Sequence, residues 1–343
     1  MMALVNPCYN SAVSTRKQIL KLLSDGQFHS GTEIGEQLGI SRAAVHKAIK
    51  SLAKSGIEIH SVSGRGYRLT EPHRPLSRND ILRRLSQLSG DYSRRLHLLE
   101  EVDSTSNYLN ALAATENTSG VVCVAESQSG GRGRRGRSWV ATPYSNIIMS
   151  MAWQYERGPT VAAGLSLAAG VTIIESLVEF GLAGAGVKWP NDILWDDKKL
   201  AGVLLDVQGE VNGPTRVTLG LGVNVYISER VAGQINQPWI DLMSITENPV
   251  DRNHLIAILI HRLECMFRDY EQSGLDGFID RWHQAHLYHG KPVWIIRGNE
   301  VLEGTVVGVD ESGAIRLLDA AGNLQSYHSG EISLRAGNDG PVD

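Results

Sequence analysis

A chain of 343 residues with 42% hydrophobic and 20% charged residues has the balance of a folded globular protein and the length for about two domains, or three if one is small. A formal net charge of −4 excludes a basic surface spread over the whole molecule, so any contact with nucleic acid has to come from a local patch. Cys8, Cys123 and Cys265 make no CxxC pair and no even framework, which excludes a disulfide scaffold and a structural zinc site. The first ten residues, MMALVNPCYN, are too short and too interrupted for a secretory signal. The most apolar stretch, 161–186, is broken by Glu175 and Glu179 and reads as a buried amphipathic helix, so the expected location is the cytoplasm.

Residues 14–70 read as three short helices and a hairpin. STRKQILKLLSDG places Ile19, Leu20, Leu22 and Leu23 on one side, and Gly26 follows as a stop. SGTEIGEQLGI forms a second short helix with Ile34 and Leu38 four apart. Ser41 caps a third, whose apolar set is Ala44, Val45, Ala48, Ile49 and Leu52. IEIHSV and GYRLT then alternate like strands around the turn SGRG. Helix, tight turn, helix and basic hairpin make a winged helix-turn-helix, with Ser41, Arg42, Ala43, His46, Lys47 and Lys50 facing DNA and Arg65 on the wing. Ten arginines and lysines oppose five acids over residues 1–75, so this segment is +5 inside a chain of −4. Such folds also serve as protein-docking modules, for which the same charges would be a solvated face. EPHRPLSRND, residues 71–80, has two prolines and no periodicity and reads as a linker.

Residues 81–289 mix helices and strands: GVVCVAES, NIIMSMAW, VKWPNDILW, KLAGVLLDVQ and RVTLGLGVNVY read as strands, with a long helix over TVAAGLSLAAGVTIIESLVEFG. DRNHLIAILIHRLECMFRDYEQSG is a second long helix, capped by Asp251 and ended by Gly274. Few helical crossovers separate the strands, which favours an α+β arrangement with a mixed sheet. GGRGRRGRSW, 130–139, sets four arginines among glycines and ends on Trp139. No phosphate loop of the GxxxxGKS type, no GxSxG elbow and no HExxH accompanies it. Alone, the loop also suits a nucleic-acid segment. His283, His286 and His289, spaced by three, read as surface or capping histidines. Residues 290–335 give five or six short strands between GN, DESG and AAGN turns, the pattern of a small SH3-like barrel.

Taken in order, DSTSN, ESQSGGRGRRGRSW, KWPNDI, KLAGVL and LGVNV resemble the biotin–protein ligase family. With the winged helix in front, the chain resembles its bifunctional ligase–repressor members from about Thr15 to Arg335. The resemblance implies a catalytic domain of the class II synthetase-like fold. It also implies formation of biotinoyl-5′-adenylate from biotin and ATP, with Mg2+, and transfer to a lysine of the biotin carboxyl carrier protein of acetyl-CoA carboxylase. Further implied are binding to operator DNA, a homodimer when the adenylate is bound, and no membrane association.

Residue by residue, the family pattern assigns biotin contacts to Ser104, Thr105, Ser106, Gln128, Arg132, Gly133, Arg134, Lys199, Gly202, Gly220 and Gly222. Ser106 stands where some members carry asparagine. Nucleotide contacts fall to Arg132, Arg134, Arg137, Trp139, Lys188, Asn191, Asn224 and Arg335, with Lys199, Arg134 and Lys188 catalytic and Asp192 on the metal side. Trp139 and Trp189 also suit lid or core packing, and Asp192 also suits a turn cap. The chemistry gives the arginine loop a reason to exist. A carboxylate and a triphosphate repel each other, so cations have to neutralise the pair and the charge that develops at phosphorus. Two other functions share the pattern: a ligand-sensing transcription factor with a decayed ligase site, and a ligase for a related acid such as lipoate.

Overall fold

The computed structural model describes residues 14–71, 73–88, 92, 95–297, 300–329 and 333–336. The first module is α1 (Thr15–Leu23), α2 (Gly31–Leu38), α3 (Arg42–Lys54) and the antiparallel hairpin of β1 (Ile59–Val62) and β2 (Gly66–Leu69). Each helix starts on a serine, Ser14, Ser30 or Ser41, whose hydroxyl accepts an amide that the first turn leaves unpaired. At Ser30 the cap is reciprocal, because Glu33 reaches back to the Ser30 amide. Ile19, Leu20, Leu23, Ile34, Val45, Ile49 and Leu52 close a small core, whereas Ala44, expected on the apolar face, is exposed. The wing packs back on the module through paired amides of His29 and Tyr67; a Cβ at Gly66, whose φ is +100°, would lie 2.0 Å from the His29 carbonyl.

Residues 71–80, expected as a linker, are anchored. His73 and Leu76 are buried, the Ser145 hydroxyl lies 2.6 Å from His73 Nδ1, and α4 (Arg78–Leu88) has already begun. Then come β3 (Leu96–Val102), α5 (Thr105–Leu112), β4 (Val122–Gln128), β5 (Ile147–Tyr155), α6 (Leu165–Glu179), β6 (Gly186–Lys188), β7 (Asp192–Trp195), β8 (Lys198–Gly209) and β9 (Thr215–Val223). Two short helices, α7 (Glu229–Ala232) and α8 (Leu242–Thr246), lead to α9 (Arg252–Ser273) and α10 (Asp276–Ala285). The seven strands form one sheet in the order β3-β4-β5-β9-β8-β7-β6, with β3 and β4 parallel and every other pair antiparallel. VKWPNDILW, expected as one strand, is a hairpin: Pro190 has no amide to offer a ladder, and the chain turns at the cis Trp189–Pro190 bond.

Strand alternation divides the sheet into two faces. Val122, Val124, Met149 and Met151 point toward α6 and α9 in the main core, while Cys123, Ala125 and Ala152 join Leu109 of α5 on the other side. Helix α6, the greater part of a segment, Pro159–Glu179, that is long and apolar enough by composition to cross a membrane, packs against α9 over the sheet. It is apolar nearly all round rather than amphipathic, as a helix wrapped in protein has to be. The buried Arg252–Glu126 pair, 2.9 Å apart, ties the start of α9 to β4, and Glu126 also accepts the Leu76 amide. His286, expected at the surface, is 5% exposed and stacks on Trp282 at 4.2 Å; burial pushes its pKa down to about 3.

The last module is an antiparallel sheet of β10 (Pro292–Arg297), β11 (Glu300–Val309), β12 (Ile315–Leu318), β13 (Leu324–Tyr327) and β14 (Ser333–Ala336) in the order β13-β12-β11-β10-β14. It touches the central domain where the Trp189 indole N–H donates to the Gly313 carbonyl at 3.0 Å. At the opposite end, Tyr144 leaves the central domain and buries its ring in the winged-helix core at a φ of +57°. Its hydroxyl donates to Glu100 at 2.6 Å, and the same carboxylate pairs with Arg16 of α1 at 3.3 Å.

Candidate active site

A cavity of about 720 Å³, within the range of small-ligand sites, opens on the α5 face of the sheet. Its floor is made where β8 and β9 carry glycine: Gly202 pairs with Gly222 and Leu204 with Gly220. Side chains at these positions would fill the space, since a Cβ at Gly222 would lie 2.3 Å from the Trp139 ring. One end is a buried knot of small polar groups. The Ser150 hydroxyl lies 2.7 Å from Thr105 Oγ1 and 3.0 Å from Ser106 Oγ, and Gln128 Oε1 accepts the Thr105 amide at 2.9 Å. Ser104 caps α5 and places the next two residues there.

The other end is cationic. Lys199, at the start of β8, forms an ion pair of 2.7 Å with Asp192 across the hairpin and lies 5.6 Å from the centre of the Trp139 ring. Lys188 lies 5.9 Å from the centre of the Tyr288 ring. Over the cavity runs the arginine loop, closed at its base where Arg132 bridges Ser138 and the Trp139 amide donates to Gly131. Arg134 crosses the cavity, donating to Asn191 Oδ1 at 3.3 Å and to the Ser329 carbonyl of the last module at 2.7 Å. Burial lowers the pKa of Arg134, Arg135 and Arg137 add to that, and Asp192 opposes it. A guanidinium keeps its charge through such a shift. The cavity therefore offers a polar recess at one end and fixed positive charge at the other, with no histidine or cysteine among its lining residues to act as a nucleophile.

The model for the Biotin/lipoate A/B protein ligase family matches residues 98–224, that for the HTH domain 15–68, and that for the Biotin protein ligase C terminal domain 288–335. The bifunctional ligase/repressor BirA of Escherichia coli (strain K12) is 39% identical over 319 residues, covering 93% of this chain and 97% of its own length. The chain belongs to the biotin–protein ligase family. BirA of Salmonella typhimurium is also 39% identical, over 318 residues with 93% and 97% coverage. Among solved structures, the biotin protein ligase of Aquifex aeolicus in complex with biotin and ATP superposes with a TM-score of 0.60 at 27% identity, covering 71% of this chain and all of that one.

In this ligase the cavity gathers most of the residues singled out from sequence. Ser104, Thr105, Ser106, Gln128, Arg132, Gly133, Arg134, Arg137, Trp139, Lys188, Asn191, Asp192, Lys199, Gly202, Gly220 and Gly222 all line it. Asn224 does not. It is buried, and its side-chain amide donates to the carbonyls of Lys199 and Ile240 at 3.1 and 3.2 Å, so it holds the Lys199 backbone. Arg335 lies opposite Trp294 on β14, and its side chain lies outside the described residues. Trp189 is buried against the last module. In the winged helix, Ser41, Arg42, Ala43, His46, Lys47, Lys50 and Arg65 are exposed, and Arg65 stacks over Phe28 at 4.3 Å.

Sequence reasoning missed Tyr288 and the Asp196–Asp197 turn, which line the cavity, and Ser150, whose hydroxyl bonds two lining residues, Thr105 and Ser106. The turn had a signal: both aspartates take positive φ, and an Asp-Asp pair between two apolar runs is hairpin chemistry. Ser150 and Tyr288 had none, because only strand register and the return of the chain after α10 bring them to the site.

Proposed function

We infer that this chain is an ATP-dependent biotin–protein ligase that carries its own DNA-reading module. The observation that carries this reading is the division of one cavity into a recess of hydroxyls and amide groups and a mouth lined by Lys199, Lys188 and Arg134. A ureido ring has donors and an acceptor that can join the hydrogen-bonded set of Thr105, Ser106, Ser150 and Gln128, whereas the dithiolane of lipoate offers this polar recess no hydrogen bond in return for the water it displaces.

In the first step a carboxylate oxygen of biotin attacks the α-phosphorus of ATP, the bond to the bridging oxygen breaks, and pyrophosphate leaves with the electron pair. Lys199 and Arg134 stabilise charge on the phosphoryl oxygens, and Lys188 and Asn191 hold the nucleotide. Asp192 keeps the Lys199 ammonium in place before substrates arrive. Among the described residues no group of three or more acidic, histidine or cysteine side chains converges on a metal position. A single carboxylate, Asp192, would hold magnesium that arrives on the phosphates, and the ion would supply further masking of their charge. The loop from Arg132 to Trp139 shields the mixed anhydride from water. In the second step the ε-amine of an acceptor lysine attacks the acyl carbon, AMP departs, and the amine loses its proton.

The acceptor is the biotin carboxyl carrier protein of acetyl-CoA carboxylase, and the setting is the cytoplasm. Adenylate-bound chains pair as homodimers through the central sheet, and the dimer presents two copies of α3 to the half-sites of an operator. ATP–pyrophosphate exchange tests the enzymatic reading: exchange that needs biotin and that lipoate fails to support is the expected result. Exchange with lipoate alone would overturn the choice of substrate.

A further inference from the structure

The floor of the cavity does not end at its last glycine. Along β8, alternate residues share a face, so Gly202 and Leu204, which line the cavity, are followed on the same side by Asp206. On β9 the corresponding positions are Gly222, Gly220 and Thr218, and Asp206 pairs in register with Thr218. Asp206 Oδ2 accepts a hydrogen bond of 2.6 Å from Arg132 Nη2, and Asn110 of α5 donates to the same oxygen at 3.4 Å. Asn110 is in turn oriented by the buried Thr218, whose hydroxyl donates to Asn110 Oδ1 at 2.8 Å. Two elements, α5 and the arginine loop, thus converge on one carboxylate of β8, with Thr218 of β9 behind them, and that carboxylate holds the base of the arginine loop.

The position matters because of how the loop is attached. Before Arg132, the Ser129 and Gly130 amides donate to carbonyls at the end of β3, so that limb is fixed by backbone. From Arg132 onward the chain leaves the sheet, and Arg132 is the first residue to lean over the cavity. We propose that Asp206 is a positioning residue for ligation, fixing the Arg132 guanidinium at the cavity rim beside the polar recess so that its remaining N–H groups face the bound substrate. This rests on the ligase reading given above. Arg132 has five N–H donors in a rigid fork, and Asp206 uses only one terminal nitrogen. The pair is 44% and 23% exposed on its two side chains, a setting in which an ion pair adds little to folding stability. Its loss belongs in substrate handling rather than in unfolding.

The test is biotin-dependent ATP–pyrophosphate exchange on the full chain. Asp206→Ala is expected to raise the KM for biotin about tenfold while kcat stays within about twofold, the signature of lost ground-state binding. Asp206→Glu restores the acceptor and is expected to recover most of the loss, with the thermal midpoint unchanged in both variants. Arg132→Ala combined with Asp206→Ala should be no worse than Arg132→Ala alone, since the two residues act as one unit. An unchanged KM, additive effects of the two substitutions, or a fall in kcat that tracks a lowered midpoint would each overturn the assignment. If Asp206→Ala does not fold, Asn110→Ala withdraws support from the carboxylate and is expected to shift KM in the same direction; no shift refutes the proposal. A parent chain with no biotin-dependent exchange would instead defeat the ligase reading itself.

Discussion

Positive charge is handled in two opposite ways in this molecule. In the arginine loop two guanidinium groups are held over the cavity: Arg132 by Asp206, and Arg134 by Asn191 and the Ser329 carbonyl. On α3 the side chains of Arg42, Lys47 and Lys50 are exposed and form no hydrogen bond or ion pair among the described residues. The difference follows from the anion each cluster meets. A small anion in a closed site needs donors fixed where its charge develops, because reorientation during the reaction costs rate. A polyanion is met over a broad surface, where mobile, hydrated cations gain by releasing counterions and need no single geometry. A count of arginines and lysines along the sequence cannot separate these uses; the acceptors around them can.

The sharpest way to press this contrast is at the most constrained cation. Lys199→Ala should lower the rate of adenylate formation by about 10²–10³-fold, read in single-turnover assays, while the exposed neighbour Lys198→Ala stays within about threefold. Equal losses in both would erase the distinction between held and free charge. Salt tests it without mutation. Raising ionic strength from about 50 to 200 mM should weaken DNA binding by about 10²-fold or more, yet leave the KM for biotin nearly unchanged, because charges inside a site are screened less than those on a surface.

Arg134→Ser removes the bonds to Asn191 and Ser329, so the adenylate should escape about tenfold faster, detected as labelling of bystander lysines in a second protein. Retention equal to that of the parent would mean that the loop does not close through Arg134. The smallest effect is expected on the free cluster. Lys47→Ala should reduce the slope of log affinity against log salt by about 1 and leave ligation untouched. A loss confined to one DNA sequence would instead place Lys47 at a base edge.

Much of this division was legible in the chain. The caps at Ser41 and Asp251, the apolar spacing of α1 to α3 and the five ordered polar stretches all act through near neighbours, and near neighbours are what a sequence displays. Asp206 was not legible, because its role depends on the register of β8 with β9 and on a loop more than seventy positions away. The family pattern assigned Asn224 a nucleotide contact, but its side chain turns inward to the Lys199 carbonyl. His286 looked exposed at a helix end, and only the stacking on Trp282 buries it. In each case a contact across the fold decided the outcome.

The ring of Tyr144 bears on how such proteins can be taken apart and rebuilt. The winged helix looks like a cassette that ends near residue 70, yet part of its own interior is supplied by a residue from far downstream. A fragment cut at that seam would carry a hollow where the ring belongs, and an unpaired Arg16 beside it. Grafting the cassette onto another enzyme would then transplant a weakened reader, unless the host offers an aromatic side chain at the same place. The portable unit is larger than the segment of sequence that resembles it, and it includes a piece of the catalytic domain.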